Sequence, residues 1–164
     1  MILLGIDPGL AILGWGVIDY TAGRTKLIRY GCIYTYPEQR FPDRLKTISA
    51  EMRTLLNTYH PDEIAFEELF FARNVTTALT VGAARGVALS VCAEYTDKLY
   101  EYTPMQIKQA ITGYGKADKK QMQQMVKLLL HMEEIAKPDD AADAVAIALT
   151  HAASGAAKEE FKMK

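Results

Sequence analysis

The sequence predicts an α/β protein, a mixed sheet with helices on its faces. The first third of its 164 residues alternates short extended runs with turn signals, as an antiparallel meander does. The remainder switches to helical spacing, interrupted by two further extended runs. The hydrophobic share of 49% against 24% charged residues is ordinary globular composition, and the length suits one domain. Strands followed by α-β-α-β-α give a sheet of five strands flanked by helices.

Met1 to Ile6 is an apolar run of the kind buried on both faces of a sheet, and Asp7-Pro8-Gly9 stops it. Gly14 to Asp19 resumes an extended pattern, Thr21-Ala22-Gly23-Arg24 breaks it, and Leu27 to Tyr34 gives a third strand. Leu45, Ile48, Met52, Leu55 and Leu56 recur at helical spacing until His60-Pro61-Asp62. Glu63 to Leu69 reads as a strand, with Phe70 and Phe71 just past its end. Thr76 to Tyr95 reads as a long helix crowded with small residues. Leu99 to Thr103 is the fifth strand, and Pro104 opens a short helix at its first turn. Gly113-Tyr114-Gly115 is a loop, Asp118 to Leu130 a helix, and a final helix follows Pro138, from Asp139 to His151. Residues 1–152 form one domain; the tail, 153–164, has no pattern that would hold it in place.

A net charge of −1 and a pI near 6.3 exclude a nucleic-acid binder that works by bulk charge, though not one that uses a local patch. Two cysteines, Cys32 and Cys92, supply neither a disulfide scaffold nor a metal-binding pair. Asp7 ends the apolar start before a signal peptide or membrane helix could form, so the expectation is a soluble, cytoplasmic protein with no membrane partner. His60, His131 and His151 show no mutual spacing, and Trp15 and the methionines at 122, 125 and 132 read as packing.

The chemistry lies in the carboxylates. Asp7 emerges at the carboxyl end of a core strand, where ligand sites of open α/β sheets lie, although it also suits the turn. Glu67 and Glu68 sit in an apolar strand on opposite faces, so at least one faces a covered side. A buried carboxylate costs several kcal/mol unless it is paired or metal-bound. Asp140 and Asp143 share one face near a helix N-terminus, where capping and the helix dipole also favour acids. Taken together these are hard oxygen ligands, suited to Mg²⁺ or Mn²⁺ rather than zinc, and to two-metal phosphodiester hydrolysis. Beside them the charge is asymmetric. Residues 101–132 hold five lysines, at 108, 116, 119, 120 and 127, against two acids, and residues 133–143 hold five acids against Lys137. Lysines that hold a strand next to carboxylates that hold metal suit a nuclease, while the same lysines also suit a solvated helix face. Phe70 and Phe71, at the head of the polar Ala72-Arg73-Asn74 loop, suit stacking on an unpaired base or core packing.

These segments, in this order, resemble the RuvC Holliday junction resolvases of bacteria across residues 1 to about 151. The resemblance is carried by Gly5-Ile6-Asp7-Pro8-Gly9 with Gly14-Trp15-Gly16-Val17-Ile18, by Glu67-Glu68-Leu69-Phe70 with Ala72-Arg73-Asn74, and by Ala84-Arg85-Gly86-Val87-Ala88. It continues through Gln106-Ile107-Lys108, then the run from Gly113 to Met122, then Asp140-Ala141-Ala142-Asp143-Ala144-Val145. The resemblance implies an RNase H-like fold and a homodimer that resolves four-way junction DNA in recombination and repair. It also implies two symmetric nicks leaving 5′-phosphate ends, with Mg²⁺ as cofactor, Mn²⁺ able to substitute, and two ions per site. The acidic tetrad would be Asp7, Glu67, Asp140 and Asp143, catalytic and metal-binding at once. Phe70 would stack at the junction, and Lys108 and Lys119 would lie near the phosphates. Arg73, Asn74 and Lys116 would be further DNA contacts, and RuvA and RuvB the branch-migration partners. Glu68 departs from the family pattern, in which that position is commonly uncharged. The small-residue stretch from Gly82 to Ala88 is the expected dimer surface.

Three other readings compete, one of them a nuclease of the same fold acting on structured RNA, against which the basic segment and the Phe70 loop favour the resolvase. Asp7-Pro8-Gly9 with Gly14 resembles the first phosphate loop of actin-like kinases, but this chain has no other Asp-x-Gly and no room for a second lobe. A junction-binding module without catalysis would be better served without four carboxylates repelling phosphate.

Overall fold

A computed structural model describes residues 1–69 and 75–164. Five strands form one sheet in the order β3-β2-β1-β4-β5. β1 (Ile2–Asp7), β2 (Ile12–Thr21) and β3 (Arg24–Tyr34) make the antiparallel meander, and β4 (Glu63–Glu67) and β5 (Leu99–Tyr102) add in parallel beyond β1. α1 (Phe41–Tyr59) and α2 (Val75–Tyr95) cover one face. α3 (Pro104–Thr112), α4 (Lys119–Leu129) and α5 (Asp139–Ser154) cover the other. The period-2 alternation of β1 divides the core between them: Leu4 and Ile6 pack with Ile48, Met52, Ala84 and Ala88, while Leu3 packs under α5 with Val145 and Ala148.

Several boundaries differ from the sequence expectation. β2 and β3 are longer because Thr21 pairs with Arg24 around a two-residue turn, with Ala22 and Gly23 both at positive φ. That is the hairpin geometry whose twist matches its strands, so polar residues that look like a break are ladder residues. β4 is shorter and ends at Glu67, its last residue paired to β5, which leaves Glu68 exposed and outside the strand. α5 runs past His151 to Ser154.

The segment from 153, in which the sequence showed no pattern, forms a 3₁₀ turn over Gly155–Phe161 and then returns along β5. Tyr100 bridges to Lys162, and the Met163 amide donates to the Leu99 carbonyl, so the outer edge of β5 is covered. The anchor is a buried polar cluster. Lys158 donates to both oxygens of Glu63, at 2.6 and 2.8 Å. His151 Nε2 lies 2.8 Å from Glu63 Oε2, and His151 Nδ1 lies 2.7 Å from the Tyr102 hydroxyl. A neutral imidazole that donates to Glu63 and accepts from Tyr102 satisfies every partner. Histidine spacing in the sequence gave no hint of this, because the partners are 49 and 88 residues away.

Burial alone would raise the Glu63 carboxyl, but hydrogen bonds from Lys158 and His151 outweigh it and hold the pKa below the usual 4.5. Stability from this depressed carboxyl is present above 4.5 and lost as pH falls through the folded value. Lys158→Ala is expected to cost about 1–3 kcal/mol at pH 7 in denaturant unfolding. The deficit should shrink as pH falls from 4.5 through the depressed folded value, where Glu63 becomes protonated in the unsubstituted protein too; a deficit that persists unchanged in acid would contradict this assignment.

Candidate active site

Asp7 and Glu67 end two adjacent parallel strands. Ile6 is in register with Phe66, which places the two carboxylates side by side at the carboxyl edge of the sheet. Both lie on the α5 face, as Leu3, Gly5 and Ala65 do, and this decides between Glu67 and Glu68: Glu67 faces the covered side, and Glu68 is exposed.

Asp140 and Asp143 reach the same place because α5 lies almost directly on the backbone of β1 and β2. A Cβ at Gly14 would stand 2.0 Å from the Asp140 carbonyl oxygen, and one at Gly5 would stand 2.1 Å from that of Ala144. At Gly16 it would meet the Val145 side chain at 2.6 Å. Gly5 pairs with Gly16 and Asp7 with Gly14, so the glycines form one bare lane across two strands. Only glycine admits this approach. The alternation Gly14-Trp15-Gly16 was the visible signal, though its use as a helix seat was not.

The lysines arrive on two short helices from the β5 side. α3 opens with a capping box between Thr103 and Gln106, and α4 with one between Asp118 and Gln121. Lys108, Lys119, Glu67 and Asp143 line one cavity of about 220 Å³, with Pro104, Ile107, Met122 and Ala146 as its apolar wall. Lys119 is the first residue of α4, where the helix dipole disfavours a cation. Asp139 and Asp143 compensate, at 3.1 and 3.4 Å from its Nζ. Burial works against the Lys119 charge, but these two carboxylates outweigh it and raise its pKa above the ordinary lysine value. Asp139, which also accepts from Gln123 at 2.8 Å, is a site residue that the sequence reading treated as part of the helix start. Lys116 stands exposed on the loop between α3 and α4. Phe70, Phe71, Arg73 and Asn74 lie outside the described residues.

The carboxylates are under electrostatic load. The Asp7 carboxyl is pushed up to about 8, first by burial and then by Glu67, Asp143 and Asp140, and when protonated it hydrogen-bonds to Glu67. Glu67 is raised by burial and by Asp143, against the lowering pull of Asp7, Lys108 and Lys119. Asp143 is raised by burial, with Lys119 pulling it the other way. Among the described residues no three acidic, histidine or cysteine side chains stand close enough together to enclose an ion. Repulsion is instead relieved by a proton between Asp7 and Glu67 and by the Lys119 clamp on Asp143. A half-buried set of hard oxygen donors under mutual repulsion fits a divalent cation such as Mg²⁺.

Because the Asp7 carboxyl titrates near 8 in the fold and near 3.8 unfolded, the metal-free fold loses stability as pH rises between those values. Asp7→Asn is expected to flatten that slope and to raise the melting temperature at pH 8 in chelator. Mg²⁺ should stabilise the unsubstituted protein there more than the variant. An equally steep slope in both proteins would refute the assignment.

The comparisons with known proteins agree with this geometry. The family described as crossover junction endodeoxyribonuclease RuvC matches residues 3–151. The crossover junction endodeoxyribonuclease RuvC of Alkaliphilus oremlandii is 54% identical over 164 residues, all of both chains. That of Brevibacillus brevis is 55% identical over 152 residues, covering 93% of this chain and 92% of the relative. The structure of Thermus thermophilus RuvC in complex with a Holliday junction substrate superposes with a TM-score of 0.87 at 38% identity, covering 93% of each chain. The yeast mitochondrial Holliday junction resolvase, at 16% identity and a TM-score of 0.71 over 98% of this chain and 82% of its own, shares the fold. The sheet order, the flanking helices and these likenesses make the architecture RNase H-like. On the family match and on relatives similar over the whole chain, this protein belongs to the RuvC family of crossover junction endodeoxyribonucleases.

Proposed function

We propose that this protein resolves four-way DNA junctions by paired symmetric nicks that leave 5′-phosphate ends, in recombination and repair. The observation that carries the reading is the convergence of Asp7, Glu67 and Asp143 with Lys108 and Lys119, with Asp140 seated on Gly14, in a chain of this family. Asp7, Glu67, Asp140 and Asp143 would hold two Mg²⁺ ions, which Mn²⁺ can replace. When bound, such ions ready a water for attack and stabilise the leaving oxygen. Lys108 and Lys119 supply positive charge to the phosphates beside the carboxylates. The apolar wall of Pro104, Ile107 and Met122 restricts water, which strengthens every charge interaction in the cleft.

Two nicks require two sites, and α2 offers the surface for pairing. Its inner face packs Ala84, Ala88, Val91 and Cys92 into the core. On the outer side Leu79 is 70% exposed, and Gly82 and Gly86 have nothing within 4 Å of where a Cβ would stand. An apolar helix face of this kind, open to close approach, fits a second copy of the chain. RuvA and RuvB are the proposed partners on the family resemblance.

The test is cleavage of a labelled four-way junction beside linear duplex and an RNA–DNA hybrid, with and without Mg²⁺. Symmetric Mg²⁺-dependent nicks confined to the junction are expected, and Asp7→Asn should abolish cutting while junction binding persists. Cleavage of the hybrid in preference to the junction would overturn the substrate, and a junction bound but never cut would overturn the activity. Gly82→Leu is expected to leave the fold intact, since the side chain has room in the single chain, and to weaken dimers in sedimentation. Unchanged dimers would move the interface elsewhere.

A further inference from the structure

The lysines approach the acidic cluster from the β5 side; the β3 side carries something else. β3 runs antiparallel to β2 and β2 antiparallel to β1, so the carboxyl end of β3 lies on the same rim as Asp7 and Glu67. The register makes this concrete: Cys32 pairs with Gly14, which pairs with Asp7, and Tyr34 lies two residues beyond that row, paired with Ile12. Two strand spacings put Cys32 roughly 10 Å from Asp7, and two further residues put Tyr34 roughly 12 Å away.

At that end the chain displays aromatic rings. Tyr34 is 45% exposed, Tyr36 59% and Phe41 44%. The exposure is built in, because the residue between the two tyrosines is fixed the other way. Thr35 is buried, donates its hydroxyl to the Leu10 carbonyl at 2.5 Å and accepts from Arg44 Nε at 2.8 Å. With Thr35 turned in, alternation turns Tyr34 and Tyr36 out. The Tyr36 amide and carbonyl are both held by Gln39. Cys32, two residues before Tyr34, pairs with Gly14, whose backbone lies directly against Asp140 and Ala141. Arg40, at the N-cap of α1 and four residues after Tyr36, carries an exposed guanidinium that pairs with Asp43 at 3.4 Å.

We infer that Tyr34 and Tyr36 form a stacking wall for bases of the cleaved DNA strand, about three to four nucleotides from the scissile phosphate, on the side of the carboxylates opposite Lys108 and Lys119. This rests on the junction-cleaving reading above and specifies how its substrate strand lies. Amphipathic rings about half exposed, on the same rim as the carboxylates and followed in sequence by an exposed arginine, match the chemistry of an unstacked nucleotide. The distance matches it too, since three to four stacked nucleotides at roughly 3.4 Å each span the roughly 12 Å from Asp7 to Tyr34. A strand laid along the rim would meet lysines, then carboxylates, then rings.

The test uses the full chain and four-way junctions carrying single 2-aminopurine bases one to four nucleotides from the cut, on either side. The unsubstituted protein is expected to quench the probe about three to four nucleotides away on one side only. Tyr34→Ala and Tyr36→Ala should lose that quenching and weaken junction binding by about ten-fold each. Tyr34→Phe and Tyr36→Phe should keep both, because stacking needs the ring and not the hydroxyl. Circular dichroism and melting confirm that each variant is folded. Unchanged quenching in the alanine variants, or equal losses in the phenylalanine variants, overturns the proposal while junction cleavage by the unsubstituted protein stands. If the unsubstituted protein neither binds nor cuts the junction, both readings fall together.

Discussion

The site depends on the contact between α5 and the bare backbone at Gly5, Gly14 and Gly16. Helices usually ride on a sheet with side chains between them, and a layer of that thickness would hold Asp140 and Asp143 away from Asp7. Here the carbonyls of Asp140 and Ala144 occupy the space where a side chain would begin. Removing the spacer layer brings two carboxylates on a helix down to two carboxylates on strand ends. The small residues of α5, Ala141, Ala142, Ala144 and Ala148, are the complementary half of the contact, all of them buried. Neither half has value without the other, and the arrangement trades side-chain packing for proximity of charge.

That proximity is costly for the empty fold. Burial and mutual repulsion push Asp7, Glu67 and Asp143 the same way, toward the neutral form, and the fold responds with a shared proton and the Lys119 clamp. The surroundings are arranged to tolerate the load rather than to remove it. Asp139 stays exposed and holds Lys119 from outside. This is the expected pattern for a site whose charge is completed by a ligand: the strain is local, and the rest of the core is conventionally apolar.

Much of this was legible before the structure. The apolar run ending at Asp7, the change from two-residue to helical period, and the turn residues at Gly113 and Pro138 located the elements, because each signal is local. The tetrad residues were legible as acids in apolar company. What could not be read was relative position. Alternation placed Glu67 and Glu68 on opposite faces without saying which face was covered, and only the register with β1 and the end of β4 decided it. The hairpin turn at Ala22 and Gly23 hid two longer strands, since polar ladder residues look like loop. Asp139 was indistinguishable from an ordinary first-turn acid until Lys119 was found beside it. The Glu63 cluster was invisible for the same reason: its members are remote in the chain, and none is unusual alone.

That cluster has a mechanical meaning. Glu63 begins the strand that ends in Glu67, and His151 sits near the end of the helix that begins with Asp139. The Glu63–His151 bond, braced by Lys158, therefore fastens the rear ends of two rods whose front ends carry the carboxylates. From Asp140 to His151 the helix is about 16 Å long. Over that lever a tilt of roughly 3–4° moves the front by about 1 Å, a displacement that costs about 100-fold in rate where geometry matters. The last dozen residues thus brace from the rear the two elements whose front ends carry the candidate site's carboxylates.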